Sequence, residues 1–451
     1  MEAACNQKER PHGQVTSKKL CAMVDVWRDY ARKLISWRPG RLAQNAFYAT
    51  FWLIIRNFVL ALYMVAVARL LGPEGYGVVT AAIAFVGLFV PFSILGTDMV
   101  LLKHVSIDPH KLQTYTGKCI KVWAVTAPLL LIVVLLLNDR VLSGRISLQV
   151  TLPIALAEIV ISPLNQYIGK SFMALERVGT LSFLDVIQAG LRLTVVGVFW
   201  CLSEQRIEYF CWFYLSATLA GLFVSIFFSR TLYRPLVSLA KLQLADLREG
   251  LPFFGLTFSS RVRSQIDRPI LLSLTNSTTT GHYSAALSIA DSASMPLLAL
   301  TLSATPRLFR AGRSSLAGPS VQLRHLLPVM ILTGILLGVA LLLFAPLLPW
   351  LLGPSYAATA DILRWIALLP LLQGVHHLLL TELMAGDEPG MRLAIEICGA
   401  IASLTLYILF VPRWGIQGAV LGYLSGYAIT IVLGSVVIWL RSNVSEIRDR
   451  A

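Results

Sequence analysis

The stretch SSRVRSQIDRP, Ser259 to Pro269, sets Arg261, Arg263, Asp267 and Arg268 between the apolar runs LPFFGLTF and ILLSL. Charges so placed fall inside a segment with the length of a membrane span. An arginine near the bilayer centre costs roughly 3 kcal/mol on insertion scales, so such groups must face one another or a wet cavity. On a continuous helix Arg263 and Asp267 are four apart and can pair, while Arg261 and Arg268 share another face. Other apolar runs carry Arg56, Arg192, Glu158 and Asp291 near their centres and Asp185 nearer an end.

Two readings of this set stand side by side. In one, the charges are structural ion pairs that hold helices together. In the other, Arg56, Arg192, Arg261, Arg263 and Arg268 line a hydrated cavity and bind an anionic substrate. Guanidinium suits a diphosphate, because its planar fork meets oxygens bidentately and keeps its charge when desolvated. Asp267 would then orient Arg263 and leave Arg261 and Arg56 freer. Glu158, Asp185, Asp267 and Asp291 would serve as counter-ions or couple transport to protons or sodium.

The elements that position these residues follow from composition. Of 451 residues 56% are hydrophobic, only 14% are charged, and mean hydropathy is +0.70. Apolar runs of about 20 residues, enough to cross a ~30 Å hydrocarbon core, recur between Gln44 and Leu440. The expected fold is an all-α polytopic membrane protein of about twelve transmembrane helices in two six-helix lobes. Residues 44–229 form the first lobe, 230–250 a cytoplasmic linker, 251–440 the second lobe and 441–451 a tail.

Residues 1–43 are polar and basic, with no secretory h-region. Within them Trp27, Tyr30, Leu34 and Trp37 fall on one helical face and Arg28 and Arg32 on another. That pattern suits a helix lying on an anionic membrane surface or an ordinary tail. Of 38 lysines and arginines, 27 lie in the tails and even-numbered loops and 4 in the odd-numbered loops, which places both termini in the cytoplasm. The net charge of +14 needs no nucleic acid to explain it.

Six cysteines show no metal-type spacing, and no metal or cofactor is expected. Cys201 and Cys211 flank one outer loop and could pair. GKS at 169–171 is not a phosphate loop, because Leu164 stands where its first glycine belongs. His376 and His377 could relay protons or simply pack. Gly418, Gly422 and Gly426 form a small-residue seam. A weak repeat relates GYGVVTAAI (75–83) to GHYSAALSI (281–289), with Arg56 and Arg263 at similar distances upstream and Pro91 and Pro296 downstream.

Three motifs carry a family resemblance over about 44–440. VARLLGPEGYG (67–77) resembles the helix 1 hallmark of the polysaccharide-exporter family, the lipid-linked oligosaccharide flippases. TTTGHYSAALSIA (278–290) is similar to that family's helix 7–8 junction, and LLGPSYAATADILRW (351–365) to its helix 9–10 junction. Within the same MOP superfamily, the helix 1 arginine pattern of peptidoglycan lipid flippases carries over to Arg56, Arg69 and Gly72.

The resemblance implies a V-shaped MOP fold in the bacterial cytoplasmic membrane that works by alternating access and is no enzyme. It further implies polyprenyl-diphosphate-linked oligosaccharide as substrate, membrane lipid as surroundings, and polysaccharide polymerase or export machinery as partners. A cation-coupled multidrug antiporter, expected to show a dominant acidic cavity, and a membrane polymerase or ligase, expected to carry long outer loops, are the alternatives.

Overall fold

The computed structural model describes residues 41–202, 206–230, 232–233, 242–314, 321–385 and 389–450. The chain divides into two units, 1–51 and 52–451, and the architecture below is that of the second. The amphipathic face expected around Trp27 to Trp37 lies outside the described residues.

Helices make up the fold in chain order: α1 (Arg41–Gly87), α2 (Val90–Ile94), α3 (Thr97–Ile107), α4 (Leu112–Val141), α5 (Leu148–Ala155), α6 (Ser162–Ala174), α7 (Val178–Trp200), α8 (Ile207–Ser229) and α9 (Leu244–Gln265). There follow α10 (Asp267–Leu274), α11 (Ser277–Ser314), α12 (Val321–Phe344), α13 (Leu348–Leu352), α14 (Ala357–Ile366), α15 (Leu369–Ala385), α16 (Pro389–Trp414) and α17 (Ile416–Arg450). No strand occurs among the described residues.

Among the described residues nine helices are long and apolar enough to cross a membrane, and the pair Pro354–Ile366 and Leu369–Ala385, bent by 45°, makes a tenth. Gly72 divides α1 into two crossings, since its φ of 64° breaks the helix just before Pro73. The segment α9–α10 is too polar to read as a span by composition yet continues the bundle, which gives, among the described residues, the twelve crossings expected. Large apolar side chains point outward in helical stripes, as lipid contact requires: Ile54 and Phe58 on α1, and Val125, Leu129, Ile132 and Leu136 on α4.

Two irregularities shape the interior. Pro269 has no amide hydrogen to give the Gln265 carbonyl, so the helix is interrupted at Ile266, between α9 and α10. Between α5 and α6 a π-helical turn, Leu156–Ile161, carries Glu158, and the Val160 carbonyl within it accepts a hydrogen bond from the Trp123 indole at 2.9 Å. The start of α9 is fixed by a capping box between Gln243 and Asp246.

Cys201 and Cys211 do not pair. Cys211 is buried in the apolar core, whereas Cys201 is exposed at the end of α7.

Candidate functional site

The expected Arg263–Asp267 pair does not form. Ile266 between them keeps right-handed helical angles, so the two residues part because each meets a partner on another helix. Arg263 turns to Glu396 on α16, 3.1 Å away, and meets Nε2 of His376 on α15 at 3.0 Å. His376 also lies 3.6 Å from Glu396, and its Nδ1 is 2.8 Å from the Thr430 hydroxyl on α17. The Arg263 guanidinium stacks over Tyr427, 4.5 Å from the ring centre. Arg263, His376 and Glu396 are all buried, so this knot ties α9 to three helices of the second half.

Asp267 takes a different partner, accepting from the Tyr283 hydroxyl on α11 at 2.8 Å. Asp291 accepts from Gln373 Nε2 at 2.8 Å, and Gln373 also reaches the Tyr427 hydroxyl at 3.2 Å. Arg268 feels the charges of Asp267 and Asp291. Its buried Nε has no hydrogen-bond partner.

In the first half, Arg56 on α1 pairs with Asp185 on α7 at 3.4 Å, both side chains being over a third exposed. Asp185 stands seven residues into α7, so Arg56 lies about 10 Å from that end of the helix rather than at its centre. Arg192 stacks on Tyr214 at 5.2 Å, and the Tyr214 hydroxyl donates to Glu158. Arg261 is half-buried on α9, and its guanidinium has no partner among the described residues. The other candidate residues therefore form two clusters, one in each half, Arg261 stands apart from both, and Arg263 belongs to a closed structural knot.

The three sequence motifs meet one another on one face of the bundle. Arg69 donates to the Leu351 and Trp350 carbonyls at 2.6 and 2.7 Å, capping the C-terminal end of α13. The buried Tyr356 hydroxyl returns a bond to the Ala68 carbonyl at 3.0 Å. A methyl group on Gly281 would stand 1.7 Å from the Pro73 carbonyl oxygen, and one on Gly77 2.0 Å from that of Ser277. Arg145 adds bonds to the Leu272 and Thr275 carbonyls. Arg69 thus clamps the halves together here. At the other end of the bundle, Lys103 and His104 meet Glu249, and Lys118 meets Asp246, linking α3 and α4 to the start of α9.

Glu396 escaped the sequence reading, although it is the only acidic residue in the apolar run after Met391. Tyr214, the partner of both Glu158 and Arg192, gave no signal beyond its aromatic type.

A twelve-span bundle in two halves, joined by backbone-close contacts and holding charges inside, is the architecture of a membrane transporter. Solved structures agree on the fold. An inward-facing multidrug resistance MATE family transporter of the MOP superfamily is similar at TM-score 0.69 and 14% identity, over 88% of this chain and 98% of that one. The lipid II flippase MurJ in an inward closed conformation is similar at 0.64 and 14%, over 88% and 91%. A MOP superfamily transporter from Pyrococcus furiosus gives 0.55 and 13%, over 88% and 93%. No curated protein sequence matches. Residues 42–311 match the polysaccharide biosynthesis protein family, and the chain belongs to that family.

Proposed function

We propose that the protein is a flippase that carries polyprenyl-diphosphate-linked oligosaccharide from the cytoplasmic to the outer leaflet of a bacterial membrane, both termini lying in the cytoplasm. The observation that carries this reading is the imbalance of interior charge. Asp267, Asp291 and Glu158 already accept hydrogen bonds from Tyr283, Gln373 and Tyr214, whereas Arg261 has no partner among the described residues. A cation held at depth without a carboxylate is stabilised by an incoming anion.

Arg261, Arg268 and Arg192, with Arg56 exchanging Asp185 for substrate, would receive a diphosphate that a low-dielectric cavity otherwise penalises. The clamp of Arg69 and Tyr356 closes one face, the ion pairs of Glu249 and Asp246 strengthen the other, and alternating access opens each in turn. A proton or sodium ion taken by Glu158 or Asp291 would couple the cycle, because each is bonded by a neutral side chain, Tyr214 or Gln373. Depleting the protein should accumulate lipid-linked sugar on the cytoplasmic face. Unchanged distribution of that lipid, with export of an organic cation instead, would favour a multidrug antiporter.

A further inference from the structure

A second polar feature lies within the first half, between α6 and α7. Ser162, Asn165, Gln166 and Lys170 recur at three- and four-residue spacing along one face of α6. Asp185, Gln188 and Arg192 recur likewise along α7, and the two faces, with Thr218 of α8, line an open slot of about 250 Å³. At 1.5 Å per residue the α6 face runs about 12 Å along the helix. A lipid-facing or core-packing surface has no use for so many amides and charges at this spacing.

The chemistry of the slot is specific. Lys170 makes no direct ion pair among the described residues, with the Asp98 carboxylate as its counter-charge, and Arg192 stacks on the Tyr214 ring within reach of the Glu158 charge. The lone carboxylate lining it, Asp185, is held by Arg56. Among the described residues the buried Oδ1 of Asn165 has no hydrogen-bond partner, and Gln188 donates to the Ser225 hydroxyl at 3.3 Å. Two cations supply a site for a phosphate, and three side-chain amides supply paired donors and acceptors for sugar hydroxyls. The volume has room for one sugar ring with a phosphate.

We propose that this slot binds a glycosyl phosphate, with Lys170 and Arg192 on the phosphate and Asn165, Gln166 and Gln188 on the ring. The proposal rests on the flippase reading for its biological ligand, the sugar–diphosphate junction of the lipid-linked substrate. Its chemistry stands apart from that reading. Arg56 borders the slot through its pair with Asp185.

The test uses the full chain in lipid nanodiscs and four probes: glucose 1-phosphate, glucose, inorganic phosphate and inorganic diphosphate. Glucose 1-phosphate should bind in the millimolar range, at least ten-fold tighter than glucose or inorganic phosphate. Lys170→Gln and Arg192→Gln should each weaken it ten-fold or more. Gln188→Leu should weaken glucose 1-phosphate while leaving inorganic phosphate unchanged. Should a variant fail to fold, protection of Lys170 from acetylation by glucose 1-phosphate in the unaltered protein gives the same answer.

Absent binding, absent protection of Lys170, or equal affinity for phosphate and its glycosyl ester would overturn the proposal. Inorganic diphosphate separates a plain anion site from a junction site: it should not exceed glucose 1-phosphate. Specific binding of glucose 1-phosphate in a protein whose loss leaves lipid-linked sugar unmoved would retain the slot and discard the flippase reading. Accumulation of lipid-linked sugar on depletion, without glucose 1-phosphate binding, would do the reverse.

Discussion

Arg263 and Glu396 lie 3.1 Å apart, both buried, on helices separated by more than a hundred residues of sequence. With His376 and Tyr427 around it, the pair fixes α9 against α15, α16 and α17. Removing one partner of a buried pair strands a charge and costs about 3–5 kcal/mol, whereas replacing both by apolar groups is often neutral. Arg263→Ala and Glu396→Ala should each deplete folded protein, and Arg263→Met with Glu396→Leu should restore it. Arg263→Ala combined with Asp267→Ala should not. Thermal melting in detergent, with membrane abundance, decides between these partners.

The clamp face makes a separate demand. Because a Gly281 methyl would sit 1.7 Å from the Pro73 oxygen, Gly281→Ala must move backbone. Overpacking of this kind costs about 1–3 kcal/mol, and the closed arrangement of this face should suffer first. Arg69→Ala should leave the fold near its original stability yet increase labelling of a cysteine placed at Ser288. Labelling as slow as in the parent would remove the clamp role.

Glu249 offers a pH prediction outside the spans. The Lys103 ammonium and the His104 ring bond its carboxyl and hold it below the usual carboxylate range. A depressed carboxylate contributes stability above about pH 4.3, its unfolded value, and loses it as pH falls through the folded value. The contribution is at most about 1 kcal/mol, since the group is partly exposed. Melting temperature should fall on acidification below about pH 4.3, and Glu249→Gln should flatten that fall. Identical acid profiles would show that the contact is energetically silent.

Much of this was legible in the sequence, and the reasons differ by element. Long apolar runs announce spans because lipid demands them, and the charges within SSRVRSQIDRP announce an occupied interior. The motif around Gly72 and Pro73 was legible as a helix end, although its clamp partners Trp350 and Leu351 were not, since Arg69 bonds backbone carbonyls that carry no residue signature. The partner of Arg263 was misread because pairing was judged within one helix, while Glu396 on a helix distant in sequence takes its place. Lys170 lies just beyond one apolar run and Gln188 within the next, and their facing stripes emerge only when α6 and α7 are laid side by side.

Coupling should rest on Glu158 or Asp291. Glu158→Gln and Asp291→Asn, measured for transport against imposed proton and sodium gradients, should abolish the ion dependence in one of the two. If both retain it unchanged, neither carboxylate couples the cycle.

Arg56 and Arg261 test the central claim most directly, through the side of the membrane on which lipid-linked sugar resides. Arg56→Ala and Arg261→Ala should each leave protein in the membrane but accumulate lipid-linked sugar on the cytoplasmic face. Lysine at either position should rescue only in part, because it keeps the charge and loses the bidentate fork. Normal appearance of the lipid-linked sugar in the outer leaflet of both alanine variants would contradict the account and leave these arginines a purely structural role.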